Sequence, residues 1–145
     1  MKPIVTWVVL ANARSVNVFA HRGPGNGLSP VKGQTMIAPD TKARNERAGV
    51  GHSIAGPGRA AVAQIDPQEK TDVRFAKTAM EQIRKARIQK RFDRLILIAG
   101  PHMLGLLRAE LDACLQAVLL GEIPKDLSNQ PIEAVEFHLG DLVPI

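Results

Sequence analysis

A single cysteine, Cys114, stands in the 145 residues. That excludes a disulfide framework and a cysteine-based zinc cluster. There is no tyrosine, one tryptophan and four phenylalanines, so little aromatic surface is available for stacking on bases. No apolar run approaches the roughly 18 residues of a membrane-spanning helix. Nor is there an acidic excess. Lys and Arg number 19 against 14 Asp and Glu, a net charge of +5 and a pI near 9.8, which argues against an acidic, disordered chain. What is present is 45% hydrophobic and 23% charged, enough apolar material for one buried core. The expectation is a single domain over residues 1–145.

Lys2, Ile4 to Leu10 and Ala11-Asn12-Ala13 faintly imitate a signal peptide with its cleavage site. The stretch is too short for one, and the residues after it alternate like a strand. The reading is therefore a cytoplasmic protein.

Ile4 to Leu10 is rich in β-branched and aromatic residues, as in a strand buried on both faces. Asn12 to Ser15 reads as a turn, Val16 to Phe19 as its antiparallel partner, and residues 31–38 as a third, weaker strand. Residues 41–70 carry Gly49, Gly51, Gly56, Gly58, Pro57 and Pro67 without periodicity, and read as a long flexible loop. Over 71–91, Val73, Phe75, Ala76, Ala79, Met80, Ile83 and Ala86 fall on one helical face, with Thr71 or Asp72 as cap. Leu95 to Ala99 predicts a buried parallel strand. Pro101 opens a second helix, residues 117–123 a fifth strand, and Pro131 a last helix ending near Gly140. These elements predict an α/β fold: a mixed five-stranded sheet with helices on both faces.

The positive charge is concentrated. Residues 70–94 hold nine basic and three acidic groups, a net of +6, while the other 120 residues net −1. Two readings stand. A stripe of cations supplies sequence-independent affinity for a polyanion; a charged helix face also simply keeps a protein soluble. The scarcity of acids between 82 and 92 favours the first, and the scarcity of aromatics weakens it.

Other chemistry is thinly signalled. Gly51-His52-Ser53-Ile54-Ala55 imitates a nucleophile elbow, but its flanks are loop and its last glycine is missing. No Lys-Ser/Thr pair follows Gly56, so the loop is no P-loop; its backbone with Arg59 suits an anion nest. His21, His52, His102 and His138 show no metal-ligand spacing, and no metal or cofactor is expected. His102 stands where a buried strand passes into a helix, the edge at which α/β sheets bind ligands; a plain surface histidine in the first helical turn is the other reading, and the favoured one. Cys114, between Ala113 and Leu115, reads as a small core residue.

Four blocks together resemble a known family. They are Trp7 to Ser15 with Phe19; Arg74-Phe75-Ala76 through Ala79 and Ile83; Phe92 to Pro101 with Leu104 to Arg108; and Lys125-Asp126-Leu127. Their order resembles the bacterial host attachment proteins, and that family is similar to the middle domain of archaeal and eukaryotic peptide-chain release factors. The resemblance implies a ribonuclease H-like fold with strand order 3-2-1-4-5 and strand 2 antiparallel. In release factors the loop before the long helix carries Gly-Gly-Gln, which places water at the peptidyl-tRNA ester. The matching loop, 41–70, contains no such triplet, and strand one offers no Asp or Glu for a ribonuclease H metal site.

The expectation is a non-catalytic protein contacting the ribosome, rRNA or tRNA. Its expected contacts are Arg59, Arg74, Lys77, Arg84, Lys85, Arg87, Lys90 and Arg91. A host-interaction factor at the cell surface and a hydrolase built on Ser53 are the alternatives.

Overall fold

A computed structural model describes residues 3–39 and 67–145. The strands are β1 (Thr6–Ala11), β2 (Ser15–His21), β3 (Ser29–Pro30), β4 (Met36–Ile37), β5 (Arg94–Ala99) and β6 (Leu119–Ile123). The helices are α1 (Pro67–Ile88), α2 (Pro101–Ala109), α3 (Ala113–Gln116) and α4 (Ile132–Leu139).

The sheet has six strands, not the expected five, and runs β3-β2-β1-β5-β6 with β4 also paired to β2. β1 is antiparallel to β2 and parallel to β5, and β5 is parallel to β6. The expected third strand over 31–38 is broken. Gly33, at φ +80°, turns the chain between β3 and β4, and each contributes two residues to the edge of β2.

The β1–β2 turn forms because Asn12 Oδ1 accepts from the Arg14 and Ser15 N–H groups, each at 2.8 Å. Both central strands are buried on both faces, as their unbroken apolar composition requires. Trp7, Val9, Ala11, Leu95, Leu97 and Ala99 point into one core with Phe75, Met80 and Ile83 of α1 and Leu104 and Leu107 of α2. Val8, Leu10, Ile96 and Ile98 point into the other, closed by Val135 and Leu139 of α4. Among the described residues no helix is long and apolar enough to cross a membrane.

Three further expectations are corrected. α1 begins at Pro67, so residues 67–70 are helix and not loop; it ends at Ile88, leaving Lys90 and Arg91 beyond it. The one-turn α3 precedes β6, which starts at Leu119 instead of 117. Cys114 is exposed, because α3 turns Leu115 inward and its neighbours out.

α1 closes with a two-bond cap. The Arg91 N–H donates to the Ala86 carbonyl at 3.0 Å and the Lys90 N–H to the Arg87 carbonyl at 2.9 Å. The residue at the left-handed position of this cap is usually glycine; here it is Lys90, at φ 57°. A side chain there costs about 1 kcal/mol. Lys90→Gly is therefore expected to raise the unfolding midpoint, read by urea denaturation, while removing one cation from this end of α1. An unchanged or lower midpoint would contradict that.

Candidate nucleic-acid interface

α1 buries Thr71, Asp72, Phe75, Ala76, Ala79, Met80, Ile83 and Ala86. The periodicity that sets this face fixes the opposite one. At 100° per residue, Lys70, Arg74, Lys77 and Lys85 fall within an arc of roughly 80° on the solvent side, and all four are exposed. None lies within 4.0 Å of a carboxylate among the described residues. Glu81 is the one acid on this stripe. Lys70/Arg74 and Arg74/Lys77 are like-charged neighbours at i,i+4 and i,i+3, each pair costing the helix about 0.2–0.5 kcal/mol. A polyanion laid along the stripe relieves that repulsion.

The remaining expected contacts are held differently. Arg84, half-buried, bonds from Nη2 to the Glu110 carbonyl at 3.0 Å. Its Nε lies 2.7 Å from Asp112 Oδ2, an ion pair that is not a well-aligned hydrogen bond. Arg87 donates from Nη1 to the Phe92 carbonyl at 2.6 Å, tying the end of α1 to the approach to β5. Both guanidinium groups brace the chain. Arg91 is exposed, with its guanidinium carbon 5.2 Å from the centroid of the Trp7 ring. Lys90 is exposed in the cap of α1. Arg59, Ser53 and His52 lie outside the described residues. Lys70, within the stretch expected to be loop, joins the stripe because the helix starts at Pro67; a proline favoured in a first helical turn is the sequence signal for that start.

Asp112 holds both Arg84 and α3. Its Oδ1 accepts from the Leu115 N–H at 2.9 Å. Its carboxyl is held below the ordinary aspartate value, first by that N–H and, against the opposing push of desolvation, by the charge of Arg84. A depressed folded-state value means the stabilisation is complete above the unfolded value of about 3.9 and fades as pH falls through the folded one. Asp112→Asn is therefore expected to lower the thermal midpoint at neutral pH, with the difference from wild type shrinking in acid. A deficit that stays constant into acid would contradict this. On the other side of α2, Arg108 grips Glu122 of β6 with Nη2–Oε1 at 2.7 Å; this hydrogen bond, then the carboxylate charge, raises the Arg108 value.

His102 lies at the sheet edge where the sequence placed it, in the first turn of α2 beyond the paired ends of β1 and β5 at Ala11 and Ala99. It is not alone there. Its Nε2 is 3.1 Å from Glu69 Oε2 and 3.5 Å from Asp72 Oδ2, both on the first turns of α1. The histidine spacing in the sequence gives no sign of these two carboxylates. The acids are one helical turn apart on α1 and some thirty residues before His102, a separation no local spacing rule detects.

A model described as bacterial archaeo-eukaryotic release factor family 12 matches residues 5–139. The protein RP470 of Rickettsia prowazekii (strain Madrid E) is 37% identical over 71 residues. That match covers 49% of this chain and 47% of the relative, so it spans about half the length of each. With β1 through α4 inside the matched span, the chain belongs to bacterial archaeo-eukaryotic release factor family 12.

Proposed function

We propose that this protein is a non-catalytic, translation-related member of its family, a single domain of ribonuclease H-like topology that binds structured RNA, on the ribosome or as tRNA. The binding surface is the solvent face of α1, with Lys70, Arg74, Lys77 and Lys85 on the helix and Lys90 and Arg91 at its end. The observation that carries this reading is the set of helix cations on one exposed face with no carboxylate within ion-pair distance among the described residues. The sheet path β3-β2-β1-β5-β6, with β2 antiparallel to its neighbours, supports the topology. The absence of a Gly-Gly-Gln triplet from the sequence supports a role without ester hydrolysis.

The test is a filter-binding titration against tRNA and ribosomal RNA fragments across salt. Four to six neutralised phosphates predict a slope of log K on log salt of about −3 to −5. The affinity then falls roughly a hundredfold or more between 50 and 200 mM salt. Affinity indifferent to ionic strength, or none near 100 mM, would sink the reading.

A further inference from the structure

We propose that Glu69, Asp72 and His102 form a divalent-cation site, for zinc ahead of manganese, where the first turns of α1 and α2 meet. The donor atoms are Glu69 Oε2, Asp72 Oδ2 and His102 Nε2, all within 4.8 Å of one another. Metal–ligand bonds of about 2.0–2.2 Å separate neighbouring donors by about 3.0–3.5 Å. The imidazole nitrogen lies 3.1 Å from one carboxylate oxygen and 3.5 Å from the other.

A protonated imidazole would satisfy the same distances, so charge and burial have to decide. Two carboxylates carry a charge of −2, and an imidazolium returns only +1. The imidazolium would be shared, nearer to the half-exposed Glu69 than to Asp72, whose side chain is only 7% exposed. A carboxylate buried to that extent needs a matching cation. No lysine or arginine among the described residues approaches Asp72 or Glu69 within 4.0 Å, and the nearby Lys70 and Arg74 sit on the solvent face. A divalent ion with neutral histidine balances the charge.

The surroundings are those of a ligand set. Gln68 Nε2 donates to Asp72 Oδ1 at 2.7 Å, fixing the carboxylate so that its other oxygen faces His102. Glu69 and Asp72 are spaced i,i+3 on a helix whose inner face is packed, so their separation is rigid. His102 and Glu69 are 59% and 41% exposed, which leaves an entry path and open coordination positions for water. Mixed imidazole and carboxylate donors suit first-row divalent ions, and zinc outranks manganese at a site with a nitrogen ligand. The site stands independently of the RNA reading.

Isothermal titration of chelator-treated full-length protein with zinc chloride near neutral pH tests it, with manganese chloride as a second titrant. The expected result is about one zinc per chain, with weaker manganese binding at the same site. Zinc should also raise the thermal midpoint of the wild type. His102→Gln and Glu69→Gln, both at exposed positions, should each weaken binding at least tenfold and remove the thermal shift, while His138→Gln changes neither. Absence of stoichiometric binding at millimolar zinc would overturn the proposal and leave an imidazolium ion pair. Binding that survives both His102→Gln and Glu69→Gln would overturn it equally, because the metal would then sit elsewhere.

Discussion

Trp7→Ala is expected to destabilise the protein by about 3–5 kcal/mol. The indole is 2% exposed in β1 and packs on Phe92, itself fully buried, with ring centroids 4.8 Å apart and planes inclined by 27°. Removing it deletes the largest fully buried side chain of the sheet and leaves a cavity between β1, the end of α1 and the start of β5, which the fold cannot collapse without moving the parallel pair. Offset aromatic stacking adds about 0.5–1.5 kcal/mol that an aliphatic replacement would not restore. A domain of this size has about 5–15 kcal/mol of total stability, so the variant is expected to be marginal, with its midpoint lowered by roughly 10–15 °C. Trp7→Phe should recover a large part of the loss by keeping a ring over Phe92. Urea denaturation followed by circular dichroism checks both; a loss under about 1 kcal/mol for alanine would show that the site is not the packed centre described above. The same substitution removes the ring beneath Arg91 and so loosens one end of the basic surface.

How far this was legible in the residues depends on the range of the physics involved. β1 and β5 could be read because burial on both faces leaves an uninterrupted apolar run, and the two alternating sets, Val8 and Leu10 against Trp7 and Val9, then divide between the two cores. The inner face of α1 could be read from its period. The end effects could not. Pro67 reads as loop punctuation after a Gly-rich stretch, although a proline in the first helical turn is equally good chemistry, and that choice removed Lys70 and Glu69 from the helix. Residues 31–38 look like one strand if Gly33 is tolerated within it; its positive φ makes it a turn instead. α3 is a single turn and has no period to detect, and its existence depends on one side-chain bond from Asp112. The roles of Arg84 and Arg87 were out of reach for another reason. A count of charges in a window does not say which of them meet a carbonyl or a carboxylate brought up by the fold, as Glu110, Asp112 and Phe92 do. The Glu69–Asp72–His102 cluster is likewise a product of packing, since α2 delivers the histidine to the first turns of α1, which lie ahead of the periodic stretch that begins at 71.

The separation of bracing cations from free ones makes a sharper expectation than charge alone. The double variant Arg74→Glu and Lys77→Glu is expected to weaken RNA binding by about tenfold to a hundredfold at 100 mM salt and to flatten the salt slope by about 2, one unit for each lost phosphate contact. Both side chains are exposed and unpaired among the described residues, so the variant should fold normally. Its stability should stay close to that of the wild type, because the pair with Lys70 becomes favourable while positions 74 and 77 remain like-charged and position 77 now meets Glu81 at i,i+4. Arg84→Gln and Arg87→Gln should behave in the opposite sense. They remove charge from the same helix, yet each breaks a bond to a backbone carbonyl, so the expected result is a lower thermal midpoint with little change in the salt slope. Binding titrations over several salt concentrations, run beside thermal melts of the same preparations, separate the two classes. If all four substitutions lowered affinity equally, the polyanion would be responding to the net charge of the protein and not to a face of α1. If the double variant bound RNA as the wild type does, the stripe Lys70-Arg74-Lys77-Lys85 would be a solvated surface and the ligand would have to be sought elsewhere on the fold.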